Sequence, residues 1–254
     1  MTASELLTIS MDIGQRLLES GAEIYRVEES ISRICRAYGA QDIQVYAVPT
    51  AIVATGAWEN QRPVTRVVRI RRRGTNLGRL DQLNALCREM CRTPMDAGSI
   101  RERIHLIDQH SSFRGVELCL ASGGGGLFFT LLFGGSLAEG GCAFAACLVL
   151  WALTASMNRI RVNSLFVNVA GGFWVATAGL LFYYLGAVAQ YDTLIIGSIM
   201  LLVPGLPITN AIRDLIAGDV VAGIVKFTEA LLVAAGIAVG AAMPLSLAGL
   251  LWSV

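Results

Sequence analysis

The sequence predicts an α-helical polytopic membrane protein with five transmembrane helices and an N-terminal cytoplasmic α+β domain. Three observations carry that expectation. The first is uneven charge: 29 of residues 1–115 are charged, against ten of residues 116–254. Soluble domains carry about 25% charged residues, which the front section matches and the chain as a whole, at 15%, does not. The second is a set of five apolar stretches in the back section, each near the ~20 residues a spanning helix needs. The third is a hydrophobic period in the front section that changes from helical to alternating and back. A chain that is 54% hydrophobic with a net charge of +1 is neither a wholly soluble enzyme nor a secreted disulfide scaffold. Nothing in that balance argues for a nucleic-acid partner.

Residues 1–115 are expected to form the cytoplasmic domain, in the order ααβββαα. Leu6, Ile9, Ile13 and Leu17 recur at three and four, the spacing of an amphipathic helix. Ser20 and Glu23 fit a capping box opening a second helix, whose apolar face is Ile24, Val27, Ile31, Ile34, Cys35 and Tyr38 and whose end is Gly39. Short β-rich runs follow at 42–48, 51–57 and 64–70, punctuated by Pro49-Thr50 and Asn60–Pro63. Two further helices are expected near 77–92 and 97–109. The run Arg69–Arg73 reads as a solvated strand end and turn, with an anionic-lipid contact as the functional alternative. The N-terminus is amphipathic, without the basic start and cleavage site of a signal peptide. The six Cys are scattered, Cys87 and Cys91 lack a second pair, and His105 and His110 have no ligand cluster, so no metal site is expected.

Residues 116–254 are expected to form the transmembrane domain, with spans at about 116–134, 137–156, 165–186, 193–209 and 229–251. Arg159 and Arg161 follow the second span and Arg213 and Lys226 the fourth, while the loops at 134–138 and 187–192 carry no Lys or Arg. The positive-inside rule then sets the N-terminus in the cytoplasm and the C-terminus outside, in an inner (plasma) membrane. The glycine groups 123–126, 134–135, 140–141 and 171–172, with Gly236 and Gly240, read as small residues for close helix approach rather than a phosphate loop.

The candidate functional segment lies around the fourth span. Pro204, Gly205 and Pro207 remove two amide donors within four residues and favour a broken helix. Backbone freed at membrane depth is tolerated where it lines a cavity, as in transporters. A helix restarting at Pro207 or Thr209 would aim amides at an anion, and Arg213 could hold a carboxylate. Asn163 and Asn168 of the third span and Glu229 at the start of the fifth could face the same cavity. Alternatively, Arg213, Asp214, Asp219 and Glu229 mark the membrane's inner edge and pair with one another. An intramembrane aspartyl protease is disfavoured: Tyr191-Asp192 and Gly218-Asp219 echo its motifs, but Ile216 stands where a glycine is required, and the expected topology puts the two aspartates on opposite sides.

The stretch Pro204–Asp214, followed by Gly218-Asp219 and Gly223, resembles the signature of the threonine/serine exporter (ThrE-type) family. Gly21-Ala22-Glu23, Arg26-Val27-Glu28, Tyr38-Gly39 and Pro49-Thr50 resemble that family's N-terminal domain. Single-chain members carry about ten spans, so a domain with five resembles the larger, YjjP-like subunit of a split exporter. The resemblance implies a small five-span YjjB-like membrane partner, possible oligomers, no cofactor and no enzymatic activity. It implies export of a small carboxylate, threonine or serine, with succinate as the alternative substrate. The competing class is a non-transporting membrane scaffold or sensor. The residues expected to serve substrate or coupling are Pro204, Gly205, Pro207, Thr209, Asn210, Arg213, Asp214, Asp219 and Glu229.

Overall fold

The computed structural model describes residues 1–59, 61–72, 74–109, 113 and 115–252, with residues 251 and 252 described by backbone alone. Asn60 of the expected turn, Arg73 of the basic run and His110 lie outside the described residues. In chain order the elements are α1 (Ala3–Glu19), α2 (Ile24–Ala37), β1 (Ala40–Val48), β2 (Ala51–Trp58), β3 (Val64–Arg69), α3 (Leu77–Arg92), α4 (Ala97–Gln109), α5 (Gly115–Leu132), α6 (Leu137–Arg159), α7 (Ser164–Tyr184), α8 (Tyr191–Ile199), α9 (Gly205–Ala217) and α10 (Val220–Trp252). Among the described residues four helices, α5, α6, α7 and α10, are long and apolar enough to cross a membrane. The chain is thus a mostly helical membrane protein with a small sheet near its N-terminus. It divides into two compact units, residues 1–112 with 206–227 and residues 113–205 with 228–254.

In the first unit the apolar stripes of α1 and α2 bury Leu7, Met11, Ile13 and Leu17 against Ile24, Ile31 and Ile34, with Leu83 and Met90 of α3 and Ile100 of α4 completing the core. The sheet is an antiparallel meander, β1-β2-β3. Along β2 the alternation of a half-buried strand puts Ile52, Ala54, Gly56 and Trp58 on the core face. The Trp58 ring folds back over Gly56, where a Cβ would come within 2.6 Å of it.

The turn between α1 and α2 departs from the expected capping box. The Ala22 amide donates to the Leu17 carbonyl at 3.0 Å and the Gly21 amide to Leu18 at 3.2 Å, a Schellman ending for α1. Gly21 takes a φ of +96°, which side-chain-bearing residues avoid. Ser20 is therefore the C-cap of α1 rather than the N-cap of α2. Glu23 is the N-cap of α2, and its side chain makes no cap hydrogen bond.

In the second unit small residues set the packing, because lipid offers apolar side chains no reason to prefer a neighbouring helix. Gly123 lies under the Phe144 ring and Gly126 under Cys147, joining α5 to α6. Gly172 and Gly240 let α7 and α10 meet backbone to backbone: a Cβ at either would overlap a carbonyl oxygen, of Ile237 or Val169 respectively. The Trp174 indole N–H donates to the Ala146 carbonyl at 2.9 Å, tying α7 to α6. Ser136 and Glu139 form a true capping box at the start of α6.

The stretch expected as a span at 193–209, broken near Pro204, Gly205 and Pro207, is two helices. It divides into the nine-residue α8 and the start of α9, with Met200–Pro204 between them. Pro204 cannot donate to a helix ladder and disfavours helical backbone at the residue before it. Pro207 falls in the first turn of α9, where a missing amide costs nothing. At 1.5 Å per residue α8 is about 14 Å long, short of the ~30 Å hydrocarbon layer. The last helix is longer than expected, beginning at Val220 and continuing through Pro244.

Replacing Gly172 or Gly240 by Leu should destabilise the α7–α10 pair by about 1–3 kcal/mol. Thermal unfolding in detergent checks this, with Gly124→Leu, where nothing lies within 4 Å of an added Cβ, as the silent control.

Candidate functional site

On a helix, residues three and four apart share a face, and in α9 that face carries Asn210, Arg213 and Asp214. Within the first unit these side chains meet the turn between α1 and α2. The Asn210 amide donates to the Gly21 carbonyl at 3.0 Å. The Arg213 guanidinium pairs with the Glu23 carboxylate. The Ile24 backbone amide, at the first position of α2, donates to Asp214 Oδ1 at 3.4 Å. A carboxylate from α9 thus serves the helix N-terminus that no neighbouring side chain caps, where the helix dipole favours negative charge.

Asp214 is fully buried. Its second oxygen accepts from Lys226 Nζ at 2.7 Å, and the Lys226 side chain is 13% exposed. Burying two charges costs several kcal/mol each, and only close pairing with further hydrogen bonds offsets it. The Lys226 ammonium and the Ile24 amide together supply that pairing. The turn between α9 and α10 passes through Gly218 in the left-handed region, at a φ of +96°. Gly223 then lets α10 approach α9, where a Cβ would lie 3.0 Å from the Ala211 carbonyl. The Asp219 amide closes the turn on the Asp214 carbonyl at 2.9 Å.

The carboxylates around this joint are pushed in opposite directions. Burial alone would raise Glu23, but its own backbone amide, Arg213 and Arg26 outweigh that and hold it below the ordinary range. Asp219 is pushed up, first by burial and then by the Asp214 charge, with Lys226 opposing. Glu28 is pushed up by burial, against the Ala47 amide that donates to it at 2.7 Å, and further by Asp219.

Of the expected residues, the fold brings Asn210, Arg213, Asp214 and Asp219 into one cluster. Pro204 and Gly205 stand at the entry to α9 and belong to the second unit; Pro207 and Thr209 are exposed on its first turn. Glu229 is exposed on α10 in the second unit. Asn163 is spent as the N-cap of α7, accepting from Leu165, and Asn168 bonds the Ser164 carbonyl. Among the described residues no group of His, Cys, Asp and Glu could hold a metal.

Sequence reasoning assigned no site role to Glu23, Lys226 or Glu139. Glu23 comes from a distant segment, 190 residues from Arg213, and Lys226 from the next helix, 12 residues from Asp214; neither has a local signal beyond its charge. Glu139 had one, the Ser136-x-x-Glu139 spacing. It is 4% exposed in the second unit and also accepts from the Gln190 amide at 3.1 Å and the Thr193 hydroxyl at 3.2 Å.

Asp214→Asn should cost about 3–5 kcal/mol, because it leaves the Lys226 charge buried without a partner; unfolding in detergent measures it. Glu23 and Asp219 should respond to pH in opposite directions. Ionised Asp219 opposes the fold, a penalty present at neutral pH and relieved as pH falls through its raised native value. Asp219→Asn should therefore raise the unfolding temperature at neutral pH and leave it unchanged near pH ~4. Glu23→Gln should lower it at neutral pH, with the loss disappearing as pH falls through the depressed native value.

Comparison with known proteins bears on what this joint belongs to. A family model described as "Putative threonine/serine exporter" matches residues 8–248. A "Probable threonine/serine exporter" of Mycobacterium tuberculosis is 25% identical over 240 residues, 93% of this chain and 45% of the relative. A "Threonine/serine exporter" of Corynebacterium glutamicum is 24% identical over 255 positions, 97% of this chain and 52% of the relative. The chain spans about half the length of the curated relatives it matches. No solved structure matches it. The family match takes in both compact units and every residue of the α9 joint, and the chain belongs to the threonine/serine exporter family.

Proposed function

We propose that this chain is one subunit of an inner-membrane secondary transporter that exports threonine and serine, working with a small five-span YjjB-like partner. The observation that carries the exporter role is the family match across residues 8–248.

We infer five membrane crossings, with the N-terminus in the cytoplasm and the C-terminus outside. That residues 206–227 cluster with residues 1–112 in one compact unit supports putting both on one side of the membrane. Three crossings by α5, α6 and α7 leave the chain on the opposite side. It must return before α9, and α8 with Met200–Pro204 is the segment available. Met200–Val203 continue in turns, the Leu202 amide donating to the Ile199 carbonyl at 2.8 Å. At 1.5 Å per residue α8 and this segment therefore reach about 20 Å and would cross only as a short, discontinuous segment in a locally thinned layer. The basic residues Arg159 and Arg161 in the loop before α7 support the same orientation.

Within this frame the residues proposed for substrate or coupling take different parts. Pro204, Gly205 and Pro207 form the break, and Thr209 with the first amides of α9 is the proposed carboxylate-facing end. Asn210, Arg213 and Asp214 are consumed by intrachain partners, which favours a coupling role: they fasten the helix behind the break to the N-terminal domain. That both nearby cations, Arg213 and Lys226, already face carboxylates weighs against a dicarboxylate and for a zwitterionic amino acid. Asp219 is the proposed proton-exchanging group, with Glu229 on α10 a second candidate.

Counterflow in vesicles holding this chain and its partner tests the proposal. Labelled threonine or serine should exchange at least about tenfold faster than succinate, a difference of ~1.4 kcal/mol. Asn210→Ala should slow exchange without loss of folded protein. Exchange of succinate alone, or of nothing with both chains present, would sink it.

A further inference from the structure

Away from the α9 joint, the first unit carries a cleft of about 580 Å³ between α2 and α3. Four guanidinium groups border it, Arg26 and Arg33 from α2 and Arg88 and Arg92 from α3, against one carboxylate, Glu29. Part of that charge is already spent. Arg33 meets Glu29 at 2.8 Å in an exposed pair, and Arg26 meets Glu23 at 3.3 Å. Arg88 and Arg92 form no ion pair with a carboxylate among the described residues. They stand one turn apart on α3, where like charges repel and destabilise a helix. A solvated face with nothing to bind would gain from an acidic residue at either position.

The geometry suits a compact, multiply charged anion. Guanidinium groups recognise phosphate through paired, charge-assisted hydrogen bonds. The Ser30 hydroxyl and Asn84 amide on the same walls add neutral donors. The volume lies in the range of small-molecule sites and exceeds what a single bound phosphate fills. We propose that this cleft binds a phosphorylated anion, held by Arg88 and Arg92 on one wall with the Ser30 hydroxyl on the other. The phosphate could be that of a soluble metabolite or of a lipid headgroup, and the site is independent of which substrate the transporter exports.

Cys91 reports on the cleft. It lines the cleft and is exposed, whereas its neighbour Cys87 is buried, its thiol pushed up to about 12 by burial and by Cys91. In the full-length chain in neutral detergent, millimolar pyrophosphate should slow N-ethylmaleimide modification of Cys91 at least about fivefold, as a site mostly filled at that concentration requires. Modification of Cys119 should not change. Arg88→Ala with Arg92→Ala should abolish the slowing, with Cys87 remaining unmodified as the sign that the domain is folded. Arg36→Ala with Arg62→Ala removes the same charge outside the cleft and should keep it. A second arm compares the chain in phosphatidylcholine vesicles with and without phosphatidylglycerol. Protection by phosphatidylglycerol alone assigns the phosphate to lipid, and protection by pyrophosphate in both vesicles assigns it to a soluble anion. Either supports the proposal. It is overturned if neither phosphate source protects Cys91, if protection survives loss of Arg88 and Arg92, or if only an acidic peptide protects.

Discussion

One buried carboxylate joins three helices of this protein. Asp214 sits in α9, accepts from the first amide of α2 and accepts from Lys226 in α10. Each partner alone would leave the charge undercompensated, and a half-satisfied buried ion is costlier than none. The three helices are therefore fixed as a set. The Arg213–Glu23 pair beside it is less sheltered, with the arginine side chain 49% exposed, and contributes less for that reason. What the pair adds is direction, because a guanidinium aimed at the N-cap residue of α2 orients the turn of α9 that carries it. Residues 206–227 thereby become part of the N-terminal unit, although about a hundred residues of membrane-type sequence separate them from it.

Much of this was legible in the residues. The periodicity of the front section is strong, and α3 and α4 begin and end where it places them. The sheet was marked by its turns. The signals that misled were locally ambiguous. Ser20-Gly21-Ala22-Glu23 satisfies the pattern of a capping box and equally that of a Schellman ending, and the positive φ at Gly21 decides for the second. The true cap of α2 comes from Asp214, 190 residues away, where no local pattern could point. The stretch 193–209 is apolar enough for a span, and Pro204, Gly205 and Pro207 marked the break within it; its local composition gave no sign that α8 would stop at nine residues. Asn210, Arg213 and Asp214 could be grouped in advance because three-and-four spacing puts them on one face. Their partners could not be named, since Glu23 and Lys226 are ordinary charges until the chain has folded.

In the membrane-type unit the glycines decide packing by what they leave out. At Gly172 and Gly240 the neighbouring helix backbone occupies the place of a side chain, so α7 and α10 make contact through carbonyl oxygens and Cα hydrogens. Elsewhere the same residue type is idle, with open space around Gly124 and Gly141. Glycine count alone cannot separate the two cases. Glu139 teaches the complementary point about polar residues. It begins as a local cap on α6 and is recruited by Gln190 and Thr193 to fasten the entry to α8.

The bond between Asn210 and Gly21 bears on how far this protein can be treated as modular. Gly21 turns left-handed to end α1, and the turn presents its carbonyl to a side chain 189 residues further along. The front domain and the helices behind it are therefore not interchangeable parts. A chimaera that takes its first hundred residues from one relative and α9 from another would unite two halves of a joint that had never drifted together. It would fail at the seam, however well each half was made.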